Sequence, residues 1–167
     1  MLEVAIDTDG EWDSSTGWDR LAEAAASAAI AESAFPQLGS GERTVELSIR
    51  LAGDADVQAL NSEWRGKDKP TNVLSFPMAA ADELAEAAIP GPELMLGDII
   101  LARGVCAAEA AEKAIPIEDH AAHLMVHGTL HLLGYDHMDE AGAADMEARE
   151  IRALARMGLA DPYAEAR

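Results

Sequence analysis

The chain has 167 residues, 49% of them hydrophobic, and 31 acidic against 12 basic side chains give a net charge of −19. That length suits one domain with its own core, and the charge excludes general nucleic-acid binding through a cationic surface while leaving room for a local cationic groove. No run of 18 apolar residues is present, the start Met1-Leu-Glu-Val-Ala-Ile-Asp7 lacks the features of a signal peptide, and the single cysteine, Cys106, rules out an intrachain disulfide, so the reading is a cytoplasmic protein without a membrane span.

Leu2, Val4 and Ile6 alternate with polar neighbours and predict a strand over 2–7. Asp7 to Gly17 is turn-like, and Ser15 or Thr16 is placed to cap an alanine-rich helix from about Trp18 to Ala34. Pro36 to Gly41 reads as a connection. Val45, Leu47, Ile49 and Leu51 alternate strictly and predict a second strand. Asp54 then reads as the N-cap of a helix that puts Val57, Leu60 and Trp64 on one face and stops at Gly66. Residues 65–77 form a polar basic loop running into a short strand, Val73 to Phe76; Arg65, Lys67 and Lys69 make its first five positions the densest basic stretch of the chain. Ala79 to Met95 is acidic, alanine-rich and broken by Pro90-Gly91-Pro92, which reads as a surface loop with some helical content. A further strand covers Leu96 to Leu101, and helices follow at about Ala102–Ala114, Ile117–Leu133 and Glu140–Met157, the last ending at Gly158. Four strands and about five helices, grouped rather than strictly alternating, predict a single α+β (mixed α/β) domain with a mixed sheet over 1–167. Cys106 reads as a small buried residue.

The segment His127-Gly-Thr-Leu-His131-Leu-Leu-Gly134-Tyr-Asp-His137 holds three of the five histidines. His127 and His131, four apart, share one helix face about 6 Å apart at Cβ. Gly134 can take the left-handed conformation that ends the helix, and Tyr135 and Asp136 turn the chain so that His137 faces the same point. Three converging imidazoles suit Zn²⁺, with nitrogen ligands at about 2.0–2.1 Å and a fourth position open for water, the pattern of a catalytic site. One ion per chain is expected, other divalent metals being compatible with the ligands. The helix would pack on the sheet through Leu124, Leu130 and Leu132 or Leu133. The order His-x-x-x-His-x-x-Gly-x-x-His is also the ligand skeleton of metzincin peptidases, but those carry a glutamate base directly after the first histidine. Gly128 occupies that position here.

The block His127–His137, with Leu130, Leu132, Gly134, Tyr135 and Asp136, resembles the signature of the YbeY family of metal-dependent single-strand endoribonucleases. Asn61-Ser-Glu-Trp-Arg65-Gly-Lys-Asp68-Lys-Pro-Thr71-Asn72-Val-Leu-Ser75-Phe-Pro77 resembles its second signature, Leu96-Gly-Asp98-Ile gives a weaker match, and Gly158 to Tyr163 fits the C-terminal pattern. Asn72 departs from an aspartate expected at that position. The resemblance implies a mixed sheet of about four strands backed by helices, a metal in a cleft, and hydrolysis of single-stranded RNA in small-subunit rRNA maturation and ribosome quality control. The implied partners are single-stranded RNA, rRNA and the small ribosomal subunit.

In that reading His127, His131 and His137 hold the metal, which acidifies its water and polarises a phosphoryl oxygen. Arg65 is the catalytic phosphate contact, able to bind two oxygens at once, against the plain reading of a surface arginine after a helix. Lys67 and Lys69 add attraction for the RNA backbone. His123 either touches substrate or is a packed, hydrogen-bonded histidine. Asp136 either sets the tautomer of His137 or caps the backbone of its own turn. His120 reads as a surface residue, and Asn61 and Ser75 as shaping the loop or lining the cleft. Two other functions compete: a metzincin-like metallopeptidase, against which Gly128 weighs, and a non-catalytic, metal-stabilised ribosome assembly factor.

Overall fold

The computed structural model describes residues 1–87 and 89–164. Four strands, β1 (Leu2–Thr8), β2 (Val45–Ala52), β3 (Val73–Pro77) and β4 (Leu94–Ala102), form one sheet in the order β1-β2-β4-β3. β1, β2 and β4 run parallel and β3 is antiparallel to β4, so the sheet is mixed. The helices are α1 (Trp18–Ala31), α2 (Gln37–Ser40), α3 (Asp54–Arg65), α4 (Ala81–Ala85), α5 (Arg103–Lys113), α6 (Ile117–Leu132) and α7 (Glu140–Arg156). That is seven among the described residues against about five expected, because α2 and α4 are short pieces of four and five residues inside segments read as connections.

The sheet buries both faces. On one face α1 and α6 cover Leu47, Ile49, Leu96, Ile99 and Leu101; on the other, Val57 of α3 packs with Leu74 and Ile100. β4 is central, and it starts at Leu94, two residues before the predicted strand: Leu94-Met95-Leu96 is apolar throughout although Met95 is exposed, so the sequence there carries no alternation to read. Leu96 is the extra residue of a bulge, since Glu46 pairs with Met95 and Leu47 with Gly97. Gly97 lies at φ +142, where a Cβ would sit 2.2 Å from the Phe76 carbonyl oxygen, so the close approach of β3 to β4 requires the glycine.

Several local expectations are corrected. α1 begins after Gly17 with no side-chain cap, so neither Ser15 nor Thr16 caps it, and it ends at Ala31 rather than Ala34. Asp54 is the first residue of α3, not its N-cap. Its carboxylate instead accepts from the backbone N–H groups of Gly104 and Val105, at 2.8 and 3.2 Å, and so caps α5 from 50 residues away. The 79–95 segment is anchored rather than a free surface loop: Leu84 and Ala87 are buried in the main core.

α6 is the axis of the molecule. It touches α1, α5, α7, β3 and β4, and eleven of its sixteen residues are buried. Leu124, Leu130, Leu132 and Leu133 all lie in the core. Gly128 lets it sit on β4: a Cβ there would lie 2.8 Å from Cγ2 of Ile99 and 3.2 Å from its Cγ1 and Cδ1.

Candidate metal centre and its cleft

α6 ends in a Schellman turn. The Gly134 N–H donates to the His131 carbonyl and the Tyr135 N–H to the Leu130 carbonyl, with Gly134 at φ +95. The chain then reverses towards α7. Tyr135 fixes this turn, its hydroxyl accepting from the Ala34 N–H at 2.8 Å, and the Arg149 guanidinium lies 4.6 Å from its ring. Asp136 accepts from the Met138 N–H at 3.2 Å and Asp139 caps α7 through the Gly142 N–H at 2.6 Å. The Asp136 carboxylate thus closes its own turn, the second of the two roles open to it from sequence.

These anchors bring His137 opposite the two histidines of α6. Ligand nitrogens of His127, His131 and His137 all lie within 4.8 Å of one another, and Nε2 of His127 is 3.0 Å from Nε2 of His131. His127 and His131 are half-buried and His137 is exposed, so the cluster opens to one side. Burial, reinforced by the neighbouring His127 and His137, lowers the His131 imidazole to about 4, which keeps it in the neutral, ligating form at neutral pH.

Behind His127 stands a residue the sequence reading missed. Glu150 is 1% exposed, and its carboxylate accepts from Nδ1 of His127 at 2.8 Å, Nε2 of His123 at 3.0 Å and the Tyr163 hydroxyl at 2.9 Å. Burial pushes this carboxyl up, but the hydrogen bonds that His123 and His127 make to it outweigh burial and bring it down to about 2. An ionised carboxylate only accepts, so Nδ1 of His127 carries its proton and Nε2 presents a lone pair to the cluster. A signal was available: Met146, Glu150, Ala153 and Leu154 are the buried face of α7, and a glutamate inside an apolar stripe needs partners.

His123 spends Nε2 on Glu150 and Tyr163 and is buried. It is thus a packed, hydrogen-bonded histidine, and it is not among the residues that line the cleft holding the histidine cluster. His120 is also buried, not on the surface; Nε2 donates to Glu109 at 2.8 Å, and Asn72 donates to the same carboxylate at 3.1 Å. Cys106 is buried, and burial with the nearby Glu109 charge pushes its thiol up to about 12, which removes it as a nucleophile.

The histidine cluster lies in a cleft of about 1140 Å³ whose walls include the end of α3, the basic loop and β3. Arg65, Lys67 and Lys69 all line it, as do Asn61 and Ser75. α3 holds the loop in place. Gly66 turns it at φ +67, Asn61 donates to the Lys69 carbonyl at 2.8 Å, and Gln58 donates to Asp68 at 3.0 Å. Among the described residues, the charged ends of Arg65, Lys67 and Lys69 have no ion-pair partner. The structure therefore brings together two stretches some sixty residues apart: three imidazoles on one wall and three free cations on another.

A donor set of neutral imidazoles fits a divalent ion. A tetrahedral ion with nitrogen ligands at about 2.0–2.1 Å holds pairs of them roughly 3.3 Å apart. Nε2 of His127 and Nε2 of His131, 3.0 Å apart, stand close to that spacing. An α+β fold with such a cluster in a cleft that Arg65, Lys67 and Lys69 also line defines a metallohydrolase-like protein.

Comparison with known proteins makes that class specific. The pattern of the family described as Endoribonuclease YbeY matches residues 11–158. The chain is 51% identical over 166 residues to the Endoribonuclease YbeY of Rhizorhabdus wittichii, covering 98% of each chain. It is 52% identical over 163 residues to that of Novosphingobium aromaticivorans, covering 96% of this chain and 95% of the relative. The solution structure of TM1509 from Thermotoga maritima shares the fold, with a TM-score of 0.56 at 22% identity over 93% of this chain and 92% of that one. The chain belongs to the endoribonuclease YbeY family, and its activity is that of an endoribonuclease, a hydrolase of internal RNA phosphodiesters.

Proposed function

We propose that this protein is a zinc-dependent endoribonuclease selective for single-stranded RNA, with rRNA of the small ribosomal subunit as its substrate in the cytoplasm. The observation that carries the reading is the meeting, in one cleft, of the His127–His131–His137 cluster with the unpaired guanidinium of Arg65. The three imidazoles are the residues that would hold the ion, which when bound supplies an acidified water and polarisation of a phosphoryl oxygen. The chain's own groups do the rest. Glu150 fixes the tautomer of His127 so that its free lone pair faces the cluster. Burial keeps His131 neutral. Arg65 binds the scissile phosphate through two parallel N–H bonds and stabilises the charge that builds on it, while Lys67 and Lys69 hold flanking phosphates.

A peptidase reading is not favoured. Gly128 faces Ile99 in the core, so the position that carries the base in metzincins is turned away from the cleft here. The test is to purify the protein without chelator, measure metal by elemental analysis, and incubate it with single-stranded RNA, duplex RNA and a peptide, beside His131→Ala. One zinc per chain and cleavage of the single strand, both lost in His131→Ala, support the reading. Equal metal in the two proteins, or cleavage of the peptide instead of the RNA, sinks it.

A further inference from the structure

The site described so far accounts for phosphate and metal but not for why an unpaired strand would be preferred. A cationic groove binds the backbone of a duplex as readily as that of a single strand. Discrimination needs a contact with something that a duplex hides, and the faces of the bases are hidden by stacking on their neighbours.

Trp64 is placed to make that contact. It is 66% exposed, on the last turn of α3, and lines the same cleft as the histidines. The other two tryptophans are committed to the fold. Trp12 and Trp18 are 2% and 4% exposed, pack edge to face at 5.1 Å, and donate their indole N–H groups to the carbonyls of Ala52 and Asp13. Among the described residues the Trp64 N–H has no hydrogen-bond partner. Trp64 also adjoins Arg65 directly, with Cα atoms about 3.8 Å apart. Both side chains line the cleft, so a strand whose phosphate sits on the guanidinium has the indole within the same cavity. Next to His137 in sequence, Met138 is 88% exposed and lines the cleft too, a second polarisable apolar surface for a flat ring.

We propose that the Trp64 indole is a stacking platform for an unpaired nucleobase of the RNA and that this contact is what selects single strands over duplex. The proposal rests on the endoribonuclease reading of the cleft. Stacking on an aromatic face is tolerant of base identity, so it selects for strandedness and not for sequence. It is also insensitive to salt, unlike the contacts of Arg65, Lys67 and Lys69.

The experiment compares a ten-nucleotide oligoadenylate with an abasic oligomer of the same length and charge, mixed rapidly with the metal-loaded protein and read before turnover. Because Trp12 and Trp18 are buried, quenching of tryptophan fluorescence reports on Trp64. Oligoadenylate is expected to quench it and the abasic oligomer to leave it unchanged. In anisotropy titrations with fluorescein-tagged oligomers, Trp64→Leu should bind oligoadenylate about tenfold more weakly, the order of one lost stack. Its affinity for the abasic oligomer and its metal content should stay as in the parent, and Trp64→Phe should recover most of the loss. The tenfold difference should be the same at low and high salt. Equal quenching by both oligomers, or oligoadenylate binding unchanged in Trp64→Leu while the parent protein cleaves RNA, overturns the stacking role alone. A parent protein that neither binds nor cleaves the oligomer overturns the endoribonuclease reading, and the stacking role with it.

Discussion

Glu150 shows how much of this site depends on one atom group that a sequence scan passes over. A single carboxylate receives hydrogen bonds from two histidines and a tyrosine, drawn from α6 and from the segment after α7. Replacing it with glutamine keeps the volume but removes the charge that holds Nδ1 of His127 protonated. We expect Glu150→Gln to fold and to bind its ion 10- to 100-fold more weakly, about 1.4–2.7 kcal/mol. Tyr163→Phe, which deletes one donor and leaves the carboxylate in place, should cost less. Chelator-competition titration measures both, and an unchanged affinity in Glu150→Gln would remove it from the site. Arg65 makes a different claim. A contact that strengthens as charge builds on the phosphate acts on turnover more than on binding. Arg65→Lys keeps the charge but loses the two-pronged geometry, so single-turnover cleavage should fall by at least tenfold with metal content normal. Near-parental rates would return Arg65 to the role of a solvated helix-end residue.

At the scale of elements, α6 is held to the sheet by the absence of a side chain. The Gly128 site has no room for a Cβ, so Gly128→Ala should destabilise the fold by about 1–3 kcal/mol through overpacking. Urea denaturation would read this as a lower midpoint at unchanged slope, and Ile99→Val should recover part of it; a Gly128→Ala protein as stable as the parent would contradict the contact. The same glycine shows what a sequence reveals and what it withholds. That position 128 carries no acid was plain; that it presses on Ile99 was not, because the partner is a non-local strand. β2 was legible because one strand edge alternates cleanly, and the end of α6 because Gly134 and the spacing of three histidines are local signals. The N-terminal end of β4 was not, since Leu94-Met95-Leu96 is apolar throughout, and neither was the anchoring of 79–95, which rests on Leu84 and Ala87 meeting a core assembled from distant segments. Asp54 looked like the cap of the helix it begins and turned out to cap α5, a pairing that only the folded chain brings about. Glu150, likewise, reads as one more acid in an acidic helix until its stripe of buried neighbours is noticed.

For the whole molecule, the notable quantity is a net charge of −19 around a cleft lined by three cations that have no ion-pair partner among the described residues. A net charge of this sign repels RNA at long range, so the attraction that offsets it has to be local, and Arg65, Lys67 and Lys69 are the arginine and lysine side chains that line the cleft. With three phosphates neutralised, the logarithm of affinity for a single strand should fall with the logarithm of salt at a slope of about −2, and the double variant Lys67→Ala/Lys69→Ala should flatten it to about −0.7. Binding isotherms between 50 and 200 mM salt, in round numbers, span the range needed. A slope unchanged by the double variant would place the electrostatic contacts elsewhere. The order in which the chain is made adds a last consequence. The three imidazoles are translated before Glu150 and Tyr163, the groups that orient His127 from behind. A nascent chain stalled within α7 holds the histidines without their carboxylate, so a nuclease of this design matures only after its last helix has been synthesised, and a partly made copy is a poorly poised one.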